Sequence, residues 1–413
     1  MNTQRAPRAK SWDYPWILIG LLWLVAFLNA ADRSILIAVM PQIKLEFGLT
    51  NTELALLNSL FFWIYALCAF LSGRVGDSVR RTRIIIYGLV FWSMATGLTA
   101  LSTGFAMLLA FRGLVAMGEA TYYPTATALI SDWHQPKSRG RALSLHQTGV
   151  FAGAGLGAVF AGFLADKFSW HLPFAVFAAV GVAHAFLLYR WLRDAPVTTA
   201  KAVNDEPLGV VWRIKPALLL CAVFFLANGA AAGVTVWAPT YVYDTLGLDL
   251  AGSALVGSAT INIAGFLTVP LGGFVADWLA KRTPLGRFYT LAIGLMLAAL
   301  LLLPLTSMTT AAGVGLVLVA TSFGKGLFDG CIYAAMHDVV PQHARATAVG
   351  AMTMIGFFGA GLTPLFVAWA SETIGMAGGM VSLAAFYVIA VVLILSMRRS
   401  IARAVEANSA DAH

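Results

Sequence analysis

Charge is what this sequence has least of. Lysine, arginine, aspartate and glutamate make up 11% of its 413 residues, against about 25% in an ordinary soluble domain. So few charges cannot cover a water-exposed surface of this size, which excludes a soluble globular protein. Cysteine is scarcer still. Cys68, Cys221 and Cys331 lie in apolar runs at no metal-ligand spacing. They read as free packing thiols and exclude a disulfide framework or a cysteine metal centre. The histidines form no metal-spaced cluster. There is no Gly-x-Ser-x-Gly elbow and no aspartate dyad at the ends of facing runs. The chain reads as a non-enzyme with no metal and no organic cofactor.

What is abundant is apolar. Residues of the AVILMFWYC set make up 59% of the chain, and there are 39 glycines. Twelve apolar runs stand at 14–40, 51–74, 84–102, 104–130, 141–165, 170–192, 213–241, 252–276, 287–307, 310–336, 342–370 and 374–397. Each has the roughly 20 residues a bilayer core demands. The first run is too long for a signal peptide and is expected to stay in the mature protein. The longest polar interruption, 193–212, separates a bundle at 1–192 from one at 213–413. An all-α membrane protein of twelve transmembrane helices in two six-helix bundles follows, with lipid as its surroundings.

Basic residues fix its orientation. The N-terminus, the even-to-odd connections, the central linker with its flanks and the tail hold 22 of the 27 lysines and arginines. The opposite face holds Lys44 and Lys167, and Arg33, Arg112 and Lys325 remain for the membrane. The positive-inside rule places both termini in the cytoplasm, with the chain in the cell's inner membrane. The net charge of +8 therefore belongs to loops, not to a nucleic-acid-binding face.

The halves repeat. "SGRVGDSVRR" after the second run and "GGFVADWLAKR" after the eighth both contain Gly-x-x-x-Asp, as Gly73 with Asp77 and Gly273 with Asp277. After the fourth and tenth runs, Asp132 precedes Arg139 and Asp338 precedes Arg345 by the same interval. Parallel six-span repeats build two pseudo-twofold-related bundles around a mid-membrane cavity. These loops resemble the signature loops of the major facilitator superfamily, although Ser78 and Arg80 depart from its pattern. The resemblance implies alternating access, and a monomer is expected. It also makes Gly73, Asp77, Arg81, Gly273, Asp277, Asp132, Arg139, Asp338 and Arg345 gating residues at the cytoplasmic mouth.

Ionisable residues inside the apolar runs are costly and are expected to face a watery cavity or one another. The first run carries Asp32 and Arg33, the fourth Arg112 and Glu119, and the tenth Lys325 and Asp329. Arg112 and Glu119 lie two helical turns apart on one face. Structural pairing is one reading. The other is partner exchange: an anion takes Arg33 or Arg112, and Asp32 or Glu119, deprived of its cation, takes a proton. These four residues resemble the anion:cation symporter branch, which includes sugar-acid, hexuronate and vesicular glutamate carriers. That resemblance implies proton coupling at Asp32 and Glu119 and anion contacts at Arg33 and Arg112. Spinster-type lipid carriers share the same features. The expected cargo is a small organic anion such as a sugar acid or hydroxy-carboxylate, imported with a proton as the only coupling ion; a lipid or drug carrier is the alternative.

The remaining polar positions each admit two readings. Lys325 stands thirteen residues before Asp338, as Glu119 stands before Asp132. It either binds a second polar end of the cargo or neutralises Asp329 one turn away. One of Tyr122 and Tyr123 is a candidate for cargo hydroxyls, as is Gln147. Asn228 either faces the cavity or bonds a neighbouring helix. His146 reads as loop-solvated or structural, and Trp237 and Trp278 as membrane-interface anchors. Gly149, Gly153 and Gly157 form a stripe for close helix approach.

Overall fold

A computed structural model of the chain describes residues 14–75, 80–134, 136–195, 212–341 and 344–410. Among these the secondary structure is helical throughout, with no strand. In lipid every backbone N–H and C=O needs an internal partner, and the helix supplies it within one segment.

The first half contains α1 (Tyr14–Phe47), α2 (Asn51–Val75), α3 (Arg81–Thr99), α4 (Phe105–Glu119), α5 (Tyr122–Trp133), α6 (Pro136–Lys167) and α7 (His171–Trp191). The second contains α8 (Lys215–Leu246), α9 (Leu250–Ala254), a π-helical turn at Leu255–Ala259, α10 (Thr260–Ala280), α11 (Gly286–Leu302), α12 (Ala311–Asp329), α13 (Ile332–Val339), α14 (Arg345–Ser382), α15 (Ala384–Ser396) and α16 (Arg398–Ala410). Among the described residues nine stretches are long and apolar enough to cross a membrane. One of them, Thr347–Ser396, is 50 residues long and turns at Gly375, whose φ of 73° is left-handed. That break, α3, and the α4–α5 pair correspond to the other three expected crossings. The polar linker is described only at its ends; 196–211 lie outside the described residues.

The internal repeat is visible in the packing. The stripe on α6 lies against α1. A Cβ on Gly149 would stand 2.7 Å from the Trp23 carbonyl, one on Gly157 2.5 Å from Ala31 Cβ, and one on Gly153 would overlap the Phe27 carbonyl. In the second half a Cβ on Gly359 of α14 would likewise overlap the Phe225 carbonyl of α8. Thus α8–α14 repeats α1–α6, with glycine letting backbone meet backbone. Both α1 and α8 end in a left-handed glycine, Gly48 (φ 61°) and Gly247 (φ 65°), each followed by leucine.

The halves meet toward the end away from the termini. The Asp166 carboxylate of α6 accepts from the backbone N–H groups of Leu250 and Ala251 at 3.1 and 2.9 Å, capping α9 across the interface. Trp63 Nε1 of α2 donates to the Phe358 carbonyl of α14 at 3.3 Å. On the termini side of that contact lies a cavity of about 310 Å³, lined by Ala66, Ala69, Tyr123, Tyr333, Thr353 and Phe357 among others. Trp237 is not an interface anchor: it is wholly buried and donates to the Pro364 carbonyl at 3.0 Å. Trp278 is exposed, with the Arg282 guanidinium 3.9 Å from its ring centre.

Candidate substrate and coupling site

The close α1–α6 packing fixes the helix that carries Asn29, Asp32 and Arg33. Adjacent helical residues point about 100° apart, so Asp32 and Arg33 face different neighbours. The side chain of Arg33 is 25% exposed and donates from Nε to Glu119 Oε2 at 2.7 Å, while Glu119 is wholly buried. Its NH2 group reaches Asn29 Oδ1, one turn earlier, at 2.5 Å. The guanidinium lies 4.7 Å from the Tyr65 ring centre and 5.5 Å from that of Phe61. Tyr65 packs in turn on Phe357, 4.8 Å between centres, at the cavity wall. Arg33 thus holds a buried carboxylate and stays partly exposed itself, behind the aromatic wall of the cavity.

Asp32 points into the bundle, where Oδ2 accepts from Thr96 Oγ1 at 3.3 Å. Arg112 is buried and its guanidinium sits 4.6 Å from the same Phe61 ring. Asp32 Oδ1, Glu119 Oε1 and Arg112 Nε have no hydrogen-bond partner. Three of these four ionisable groups are buried with unused bonding capacity, which is the condition for exchanging partners.

Glu119 is the last residue of α4, and the chain breaks at Ala120–Thr121 before α5 starts. Pro124 explains the break: its ring clashes with the carbonyl four residues back, Ala120, and it supplies no N–H to it. Ala120 and Thr121 keep right-handed helical φ/ψ, so the break is a kink; Glu119, wholly buried, depends on its cation. The second half breaks likewise at Gly330–Cys331, directly after Asp329. The crossings of Gly88 on Gly118 and Gly294 on Gly324 hold Lys325 at the level of Glu119. The helix runs one turn further before breaking, so Asp329 takes the terminal place that Glu119 has in the first half. Lys325 Nζ donates to Asp329 Oδ1 at 2.5 Å; the side chains are 10% and 37% exposed.

Several expectations need correcting. Arg112 does not reach the cavity; Phe61 and its own burial leave Arg33 as the accessible arginine. Tyr122 is buried and donates to the Leu22 carbonyl at 2.7 Å, with His146 Nε2 2.8 Å away, so Tyr122 holds the bundle together rather than facing cargo, and His146 takes the structural one of its two readings. Asn228 Nδ2 donates to the Gly356 carbonyl at 3.2 Å, a helix–helix bond. Tyr123 does line the cavity and donates to Gln147 Oε1 at 2.6 Å. Asn29, Phe61, Tyr65 and Thr96 were not singled out from sequence. Asn29 stands one turn before Arg33, and Phe61 and Tyr65 lie one turn apart in an aromatic run; that spacing was the available signal.

At the termini end, Arg81 pairs with Asp132. Arg287 bonds Asp277 at 2.8 Å and Asp338 at 2.6 Å, so the acids of both repeated loops converge on one arginine that sequence reasoning missed. Arg139 is exposed, and Arg345 is partly buried with Nε unbonded. Gly73 lies in the last turn of α2 and Gly273 in α10; Asp77 lies outside the described residues. No group of three or more potential metal ligands occurs among the described residues.

The family model of the Major Facilitator Superfamily matches residues 22–364. The chain belongs to that superfamily. It is an integral, multi-pass membrane transporter and not an enzyme. Among its relatives, a hexuronate transporter of Bacillus subtilis is 29% identical over 395 residues, covering 90% of this chain and 93% of that protein. A probable galactarate/D-glucarate transporter of the same organism is 24% identical over 90% of this chain and 89% of its own. The spinster protein of Drosophila melanogaster is 28% identical over 70% of this chain and 50% of its own. The fold matches a solved bacterial homologue of the human lysosomal transporter spinster, in an inward-facing, occupied conformation, with a TM-score of 0.81. Identity there is 21%, over 94% of this chain and 97% of that one.

Proposed function

We propose that this superfamily member is a proton-coupled symporter that imports a small organic anion, such as a sugar acid, across the cell's inner membrane. It works as a monomer, with both termini cytoplasmic and the proton as its only coupling ion. The observation that carries this reading is the Arg33–Glu119 pair, a wholly buried carboxylate held by a cation that is itself 25% exposed. An incoming carboxylate offers Arg33 a bidentate partner. As Arg33 turns to it, Glu119 loses its hydrogen-bonded cation in a buried setting, and it takes a proton. The loaded site is again charge-balanced, so the bundles can rock past each other. Asp32 serves as the reserve acid beside Arg112. Gln147 and Tyr123 supply hydroxyl contacts. The arginine and aspartate clusters at the termini end hold one state and release in the other.

The Drosophila match favours a second reading, a lipid or drug carrier. The modest cavity and three basic residues within the spans fit a compact anion better. The test is uptake of D-glucuronate into proteoliposomes under an imposed pH gradient, alkaline inside. Accumulation above equilibrium that collapses with a protonophore is expected. Movement indifferent to the gradient, or displacement by lysolipid alone, overturns the reading.

A further inference from the structure

The tenth span holds an ion pair for which the exchange at Arg33 has no use. Lys325 and Asp329 form, in the other bundle, a base–carboxylate pair within one helix, where Arg33 and Glu119 pair across two. Asp329 is partly exposed and stands one turn before Tyr333, which lines the cavity. Tyr65, the neighbour of Ala66 on the same cavity's wall, touches Arg33 and packs on Phe357 of that wall. Arg33 and the Lys325–Asp329 pair therefore stand behind the walls of one cavity from opposite bundles. Asp329 is also faced by Tyr387. Cys331 follows it in the chain and its Sγ lies 3.9 Å from the Arg287 carbonyl, and Arg287 is itself engaged by Asp277 and Asp338. Lys325 is thus the cation directly bonded to Asp329.

Building on the symport reading above, we propose that Lys325–Asp329 is a second exchange site, so that the preferred cargo is a dianion gripped at both ends and moved with two protons. One carboxylate takes Arg33 and the other takes Lys325. Glu119 and Asp329 each take one proton from the outer solution and each release it inside. Two negative charges and two protons leave the loaded site as neutral as the empty one, in which three acids balance three bases.

Proteoliposomes with potential clamped by potassium and valinomycin test this, with D-glucarate as dianion and D-glucuronate as the matched monoanion. For two protons per dianion, limiting glucarate accumulation is about 100-fold per pH unit and indifferent to potential; for one proton it is about tenfold. Asp329→Asn is expected to drop glucarate to the tenfold limit and make it sensitive to an interior-negative potential. The paired variant Lys325→Gln, Asp329→Asn removes both charges and so avoids a stranded ion. It is expected to prefer glucuronate and accumulate it about tenfold per unit. A wild type that accumulates glucarate with one proton, or a paired variant that keeps the wild-type glucarate ratio, overturns the inference and leaves the symport reading standing. A wild type that accumulates neither sugar acid under a pH gradient overturns both.

Discussion

Replacing Glu119 with glutamine separates partner exchange from structural pairing, because the two demand opposite changes in affinity. In the wild type a cargo carboxylate must draw Arg33 from a charge-assisted bond of 2.7 Å. Such a bond contributes about 1.5–3 kcal/mol, and the neutral bond glutamine still accepts about 1 kcal/mol. The partial exposure of Arg33 points to the lower end, so the substitution frees about 0.5 kcal/mol, close to a twofold gain in affinity. Wild-type binding is expected to tighten as pH falls, since protonating Glu119 releases the arginine. The variant is expected to bind tightly and with no such dependence. Titration calorimetry of purified protein with D-glucuronate at several pH values measures both. In proteoliposomes the variant should keep counterflow exchange and lose accumulation driven by the gradient. Weaker binding with the wild-type pH profile would refute the exchange and make the pair a structural one.

Four further outcomes follow from the geometry. Arg33→Lys is expected to weaken D-glucuronate binding about tenfold, because one ammonium replaces a fork that serves Asn29 and Glu119 from two separate nitrogens; unchanged affinity would remove Arg33 from cargo recognition. Asp166→Ala deletes both cross-bundle bonds to α9; for an exposed carboxylate the loss is about 1 kcal/mol, and spin-label distances between α6 and α9 should lengthen. Arg287→Ala removes the cation that Asp277 and Asp338 share and should lower thermal stability by about 1 kcal/mol, with Arg287→Lys restoring part of it; identical melting of all three forms would contradict the convergence of those acids on one cation. Gly153→Ala drives a methyl into the Phe27 carbonyl and should cost about 1–3 kcal/mol, whereas Gly140→Ala, with open space around it, should be neutral.

Much of this architecture is written in the sequence at the level of pattern. Scarce charge, twelve apolar runs and paired loop motifs point to a two-bundle carrier, and the family match agrees. The charges inside the spans were also visible, since each costs enough in lipid to require a partner. Which partner each takes was not. Arg33 and Arg112 look equivalent in the chain, but helical phase leaves one partly exposed and seals the other beneath Phe61. The fourth span reads as one helix because its apolar run is unbroken; Pro124 was the signal that the ladder fails at Ala120. The break after Asp329 has no proline, and only the fold reveals that the tenth span runs one turn longer than the fourth. Arg287 was counted among loop charges, because its two acids lie 10 and 51 residues away in sequence. The π-helical turn at Leu255–Ala259 has no proline and no periodic signature to betray it.

The most direct measurement is of protons taken up when cargo binds. Purified protein in weakly buffered detergent solution, held near neutral pH with an indicator dye, receives D-glucuronate adjusted to the same pH. The account predicts a rise in pH that saturates with binding and disappears in Glu119→Gln. Binding without proton uptake, or uptake that survives in the variant, would contradict it.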